Sequence, residues 1–331
     1  MALDAFRFKD TVFLKNSNDL QERFNALQKL NEEYPNNEEI LSELFIIKKG
    51  LDGEDEISYQ LKKANIGMYV LRDIKLKYED LTAQIDYIVI TPYYTYYIEC
   101  KNMVGNITVT DKGDFIRELI IKGKKIKKGM YSPLRQVEQQ REVVRKIWNS
   151  KATMVNKLFG SKNFDYFRRV LVVAANKDTI INTDKAPKDI KYKVLRADSL
   201  VRQLNYDIEH RGKDDYRDSQ NGMKEIAESY LKLSLKENID YYLYYKNKFN
   251  LKEELETADS LKDRLLELRK ERSNSMNIPA YYIFTNDELD KLVELRPKSI
   301  EELKNANILT PIKIKVHGEK ILEEINRQTN N

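Results

Sequence analysis

The sequence predicts an α/β body followed by an all-helical tail, and three stretches carry that prediction. From Gln84 to Lys101, two runs rich in β-branched and aromatic residues flank Thr91-Pro92-Tyr93-Tyr94, the pattern of a β-hairpin. Phe167 to Ala174 (FRRVLVVA) is apolar almost without interruption, as a central strand covered on both faces must be. From Ala258 onward the apolar spacing is helical, starting with Leu261, Leu265 and Leu268. The expected division is 1–210 for the body with an N-terminal extension, 211–257 for a helical connector and 258–331 for the helical domain.

The elements follow in order. Phe6 to Leu14 has the composition of a short strand, and Leu20, Phe24, Leu27 and Leu30 mark a helix from Asn18 to Leu30. After Pro35-Asn36-Asn37, Glu38 to Lys49 is a second amphipathic helix. Gly50-Leu51-Asp52-Gly53-Glu54 then runs into Ile57, Leu61 and Ala64. On a helix Glu54 shares the face of Ile57 and Leu61, a place for a carboxylate that is paired or binds a metal. The other reading is a helix-start glutamate favoured by the dipole. Tyr69 to Lys77, Ile107 to Thr110 and Phe115 to Ile121 are further strands. Lys122, Lys124, Lys125, Lys127 and Lys128 crowd around Gly123 and Gly129, a basic turn that either follows a phosphate backbone or is a solvated loop tip.

Ser132-Pro133 opens a helix to Trp148 that puts Gln136 on the stripe of Val143 and Ile147. Ile190 to Leu195 is a candidate strand, Asp198-Ser199 caps a helix from Leu200 to Leu204, and His210 to Gly222 is a loop or hinge. Met223 to Asn247 is expected as one tyrosine-rich helical stretch. In the tail, Asn277-Ile278-Pro279 ends the first helix. Asn286 to Leu295, Ser299 to Lys304 and Ile312 to Ile325 supply the others.

Composition narrows the chemistry. The 331 residues suit about two domains, and 41% hydrophobic residues are ample for a core. Lys+Arg 58 against Asp+Glu 53 leaves +5, a mild bias that permits a nucleic-acid partner without demanding one. With one cysteine and two histidines (His210 and His317), one chain has no material for a disulfide framework or zinc finger. Histidine-based metal nucleases and Ser-His-Asp hydrolases are equally short of residues. No P-loop sequence occurs. Met1 to Asp10 lacks the continuous apolar run of a signal peptide or anchor, so the expectation is a soluble, cytoplasmic protein with no membrane partner.

The hairpin carries the chemistry. Strand alternation puts Glu99 and Lys101 on one face, with Ile98 and Cys100 on the other. With the turn centred near Pro92 or Tyr93, Asp86 falls opposite Glu99 or Cys100. Two carboxylates and an ammonium on one patch of sheet suit a hard divalent cation with oxygen ligands. A cross-strand salt bridge at the sheet rim is the alternative.

In order and spacing, Gly50-x-x-Gly53-Glu54, Asp86, Glu99-x-Lys101 and Gln136 resemble the nuclease-related domain (NERD) family of the PD-(D/E)xK nuclease superfamily, over roughly residues 38 to 150. Asn102-Met103-Val104-Gly105 and Phe115 also fit. The resemblance implies a restriction-endonuclease-like fold, a mixed sheet flanked by helices. It implies Asp86 and Glu99 as ligands of Mg²⁺ or Mn²⁺, with the Cys100 carbonyl as a further ligand. It makes Lys101 the group that stabilises developing charge, has Glu54 complete the metal shell, and has Gln136 orient water or phosphate.

The tail resembles the helicase and RNase D C-terminal (HRDC) domain over about 258 to 327, through Ala280 to Phe284, Asp287-Glu288-Leu289, Arg296-Pro297, Ser299 to Leu303 and Gly318-Glu319-x-x-Leu322. It departs at Asn307 to Pro311, where that family has a glycine-containing turn, and at His317, where it often has tyrosine. Together the resemblances imply a metal-dependent nuclease acting on DNA in preference to RNA. The alternatives are a ribonuclease or a non-catalytic nucleic-acid-binding scaffold. A homo-oligomer is compatible with either.

Overall fold

The computed structural model describes residues 8–151, 163–251 and 258–327. The chain groups into two compact units, 1–31 with 37–245 and 32–36 with 246–331. In chain order the strands of the first unit are β1 (Thr11–Lys15), β2 (Met68–Tyr78), β3 (Leu81–Ile90), β4 (Thr95–Lys101), β5 (Asn106–Val109), β6 (Phe115–Ile121), β7 (Lys124–Met130), β8 (Arg168–Ala174), β9 (Ile181–Asn182) and β10 (Val194–Arg196). Its helices are α1 (Asp19–Glu33), α2 (Glu38–Lys62), α3 (Pro133–Lys151), α4 (Ala197–Glu209), α5 (Gln220–Leu233) and α6 (Tyr241–Lys248), besides single turns at Phe164–Phe167 and Lys188–Lys191.

The main sheet has the order β1-β2-β3-β4-β8-β10. It is mixed: β2, β3 and β4 are antiparallel, while β1, β8 and β10 run parallel to their neighbours. Both faces are covered, which is why Tyr96 to Ile98 on β4 and Val170 to Ala174 on β8 are apolar without a break. Tyr97, Val170 and Val172 pack with Val137, Val143 and Val144 of α3 and with Met223, Ala227 and Tyr230 of α5. Tyr96, Ile98, Leu171 and Val173 face Ile57 and Leu61 of α2 and Leu200 and Leu204 of α4. The stretch expected as a connector thus supplies α5, whose Tyr230 hydroxyl meets that of Tyr97 at 2.6 Å in the core. The loop before it is pinned by Asp215, which accepts from the Tyr94 and Tyr166 hydroxyls, each at 2.8 Å.

One irregularity organises the sheet. Ile85 and Ile88, an odd number of residues apart, lie in the same cluster, as do Leu71 and Ile74 on β2. The alternation of faces therefore slips at Asp73 and Asp86, which the flanking pairs Arg72↔Tyr87 and Ile74↔Ile85 place opposite one another. Asp73 adopts the left-handed conformation, φ 50°. Its carboxylate accepts from the Gln84 amide at 2.7 Å and the Asp19 backbone N–H at 3.0 Å.

Several boundaries differ from the sequence prediction, each for a physical reason. The segment before β2 is a single helix, α2, that runs through Gly50 and Gly53, with Asn37 capping Glu39 and Ile40. A Cβ on Gly53 would lie 2.6 Å from Asn102 Cβ and 3.3 Å from Cys100 Sγ, so glycine here is what lets the helix touch the end of β4. The basic turn is mostly strand: β7 pairs along the whole of β6, and only Lys122 and Gly123, both at positive φ, form the turn. These strands belong to a smaller sheet, order β7-β6-β5-β9. Ile190 to Leu195 splits into a helical turn and β10, and α4 starts at Ala197 without a side-chain cap from Asp198 or Ser199. Met223 to Asn247 is two helices, because after Ser234 the chain leaves α5 and the Leu235 N–H donates to the Lys75 carbonyl at 2.8 Å. β1 covers Thr11–Lys15; Phe6, where the expected strand began, lies outside the described residues.

In the second unit, α7 (Ala258–Met276), α8 (Asn286–Leu295), α9 (Ile300–Asn305) and α10 (Pro311–Asn326) enclose Leu261, Leu265, Phe284, Leu289, Leu292, Leu303 and Ile321. Thr285 and Glu288 form a capping box at α8, and Ser299 and Thr310 cap α9 and α10. Where the HRDC family has a glycine turn, Asn307 takes φ 50°, a conformation asparagine tolerates. His317 is buried and accepts from Arg272 Nε at 2.9 Å, with burial and then that guanidinium holding its pKa down.

The two glycines of α2 should respond oppositely to alanine. Gly53→Ala forces the helix off β4 and should cost about 1–3 kcal/mol through overpacking. Gly50→Ala meets only the flexible end of Leu20 at 3.1 Å. It should be neutral, or stabilising by up to about 1 kcal/mol from helix propensity. Thermal melts of the two variants decide; equal melting temperatures would refute the close approach at Gly53.

Candidate active site at the end of β4

The pair Tyr87↔Ile98, continued by one residue, puts Asp86 opposite Glu99. The Asp86 carboxylate accepts from the Cys100 N–H at 2.7 Å, an attachment to the neighbouring strand's backbone. Glu99 and Lys101 emerge on the face covered by α3, and Cys100 on the face touched by α2 at Gly53. Lys101 Nζ donates to Glu99 Oε1 at 2.5 Å and to Gln136 Oε1 at 3.2 Å. Gln140 Nε2 donates to Glu99 Oε2 at 3.2 Å, so both oxygens of this carboxylate, only 2% exposed, are held. An open groove of about 580 Å³ is lined by Asp86, Gln136 and Gln140 of this cluster, with Gln84, Gln139 and Lys146.

Asp86, Glu99, Lys101 and Gln136 therefore come together, but Glu54 takes another place. It lies within α2, not at a helix start, and its Oε2 accepts from Asn18 at 2.7 Å and Arg72 at 3.1 Å. Arg72 also reaches Asp55 at 3.1 Å and packs over the Tyr87 ring. Tyr87 in turn donates its hydroxyl to the Glu54 carbonyl at 2.6 Å. The five lysines at 122, 124, 125, 127 and 128 stand on the smaller sheet. Arg72, Asn18 and Gln140 escaped the sequence reading. Gln140 had a signal, since it sits one turn beyond Gln136 on the same face of α3.

The electrostatics are those of crowded acids. Burial, then the charges of Glu99 and Glu54, push the Asp86 carboxyl well above its usual range. Burial raises Glu54 too, against the opposing pull of Asn18 and Arg72. The Cys100 thiol rises through burial and the same three carboxylates. Among the described residues, no three His, Cys, Asp or Glu side chains form a metal cage by themselves. Asp86 and Glu99 offer hard oxygen donors of the type Mg²⁺ or Mn²⁺ takes. Gln140 Oε1, on the amide that holds Glu99, is buried without a partner, an acceptor that water or a hydrated ion would satisfy. On that donor chemistry the residues fit a divalent cation.

The family model for the nuclease-related domain (NERD) matches residues 49–174, a range that holds every one of these site residues except Asn18. The model for the HRDC domain matches 259–325. The chain carries a NERD domain and an HRDC domain. The matched range runs from inside α2 to the end of β8. No curated protein matches. Among solved structures, "D. radiodurans RecQ HRDC domain 3" is 33% identical, over 21% of this chain and 92% of that one, with a TM-score of 0.21. No helix among the described residues is long and apolar enough to cross a membrane.

Asp86→Asn tests the crowding. Asparagine keeps an acceptor for the Cys100 N–H and removes the buried charge. The raised carboxyl binds a proton in the folded state before the unfolded chain does. Metal-free wild type should therefore gain stability as pH falls through the raised value toward about 3.8. Asp86→Asn should be more stable than wild type at neutral pH, and the difference should shrink over that window. Melting curves from pH 7 to 4 read this directly; a variant less stable than wild type at pH 7 contradicts it.

Proposed function

We propose that this protein is a metal-dependent nuclease that hydrolyses phosphodiester bonds in DNA. The observation that carries the reading is Lys101 Nζ bridging Glu99 and Gln136 on the strand next to Asp86, with Asp86 and Gln136 lining an open groove. Asp86 and Glu99, with the Cys100 carbonyl, would hold the cation. When bound, Mg²⁺ or Mn²⁺ supplies Lewis-acid polarisation of the phosphate and a more acidic water. Lys101 uses two of its three N–H groups on Glu99 and Gln136, which leaves one for a phosphate oxygen where negative charge builds. Gln136 fixes the ammonium and presents its own amide N–H groups to water or phosphate. Gln140 orients Glu99. Glu54 acts from behind, its charge balanced by Arg72, and is a supporting residue in place of a ligand. The HRDC domain would give the protein a further hold on nucleic acid, since that domain class binds nucleic acid.

A second reading has its own observation. The Lys101–Glu99 and Arg72–Glu54 pairs already balance two of the three clustered acids. A non-catalytic scaffold that keeps the fold and binds nucleic acid would look the same.

Cleavage assays separate the two. Purified protein is offered plasmid, linear and single-stranded DNA and RNA, with Mg²⁺, Mn²⁺ or EDTA. Wild type should cut DNA in a metal-dependent way, and Asp86→Ala and Glu99→Ala should abolish cleavage. Lys101→Ala should lose about 10²–10³ in rate, the size of one lost oxyanion donor. Inert wild type, or an Asp86→Ala that cuts as well as wild type, leaves the scaffold. Cutting confined to RNA makes it a ribonuclease.

A further inference from the structure

The β6–β7 ribbon displays its charge on two faces at once. Cross-strand pairing sets Glu118 opposite Lys127 and Ile120 opposite Lys125 on one face. Arg117 opposite Lys128 and Ile121 opposite Lys124 occupy the other. The four strand lysines are exposed, and so are Ile120 (72%) and Ile121 (46%), one per face. Glu118 lies 3.7 Å from Lys125 and 3.6 Å from Lys127, which steers both and leaves that face net positive. The other face has Lys124 and Lys128 with no carboxylate on the ribbon beside them. Arg117 donates to the Val104 carbonyl at 2.7 Å, so the base of the ribbon is braced on the loop that leaves β4 just after Lys101.

We infer that this ribbon enters the major groove of duplex DNA. A chain lying along a single strand meets phosphates on one side and needs one basic face. A ribbon seated in a groove has a phosphate wall on each side, and the B-form major groove admits a two-stranded ribbon. Duplex RNA is a poor alternative, because its major groove is too deep and narrow for side chains to read. The inference deepens the nuclease reading by naming its substrate as duplex DNA.

The test is binding in EDTA, where no cleavage intrudes. Affinity is measured against salt for a duplex DNA, a single-stranded DNA of the same length and a duplex RNA. Two double variants neutralise one face each, Lys124→Gln/Lys128→Gln and Lys125→Gln/Lys127→Gln. On duplex DNA each should flatten the plot of log affinity against log salt by about 1.8, at about 0.9 per phosphate. On single-stranded DNA at most one of them should matter, by about 1.4. A change on the duplex confined to one face, equal changes on single-stranded DNA or duplex RNA, or no duplex binding at all overturns the inference. The outcomes stay distinct from the cleavage assay: a protein that cuts nothing but shows the two-face slope loses only the nuclease reading.

Discussion

The register between β3 and β4 is the constraint on which the candidate site depends. A strand carries side chains to alternate faces, so a shift of one residue would send Glu99 and Lys101 to the α2 side and Cys100 to the α3 side. The short Thr91–Tyr94 turn fixes the register, with Thr91 N–H donating to the Tyr94 carbonyl at 2.9 Å. Asp86 confirms it at the far end by accepting from Cys100. Between the two, Tyr87, Val89, Tyr96 and Ile98 fill the core beneath α2. Position of the chemical groups is thus a by-product of packing that has nothing to do with chemistry.

The slip at Asp73 and Asp86 solves a second difficulty. A carboxylate in the middle of a fully covered strand would be buried among isoleucines at high cost. Where the alternation breaks, Asp86 can turn along the sheet toward a neighbouring amide while its flanking residues keep their faces. Asp73, opposite, takes up the strain in a left-handed conformation and is held by Gln84 and Asp19. Around this seam Glu99 and Glu54 remain close enough to raise the Asp86 carboxyl further, on top of its burial. Such crowding of acids costs stability, and hydrophobic packing elsewhere has to offset it.

Much of this was legible in the sequence, for identifiable reasons. The faces of Glu99 and Lys101 follow from period two alone, and the α3 stripe with Gln136 follows from helical spacing after a strong Ser132-Pro133 start. What failed to show was anything set by distant pairing. Arg72 meets Glu54 across the helix–sheet boundary, a partnership that depends on Gly53 allowing close approach. Five lysines in seven residues have little strand propensity of their own, so β7 exists because β6 and the Lys122-Gly123 turn impose it. The break after Ser234 is invisible for the same reason, since the group that draws the chain away is a carbonyl on β2.

That last contact bears on how the sheet ends. β1 pairs with β2 only over Met68–Leu71, so most of β2 would otherwise be an open border with unpaired amides and carbonyls. Such borders invite other chains to add strands and aggregate. Here Asp73 twists the backbone out of register with any newcomer, and Leu235 occupies the Lys75 carbonyl. The opposite border, β10, is only Val194–Arg196, too short to template a partner. Protection of this border against strand addition thus draws on the same left-handed aspartate that sits across from the central acid.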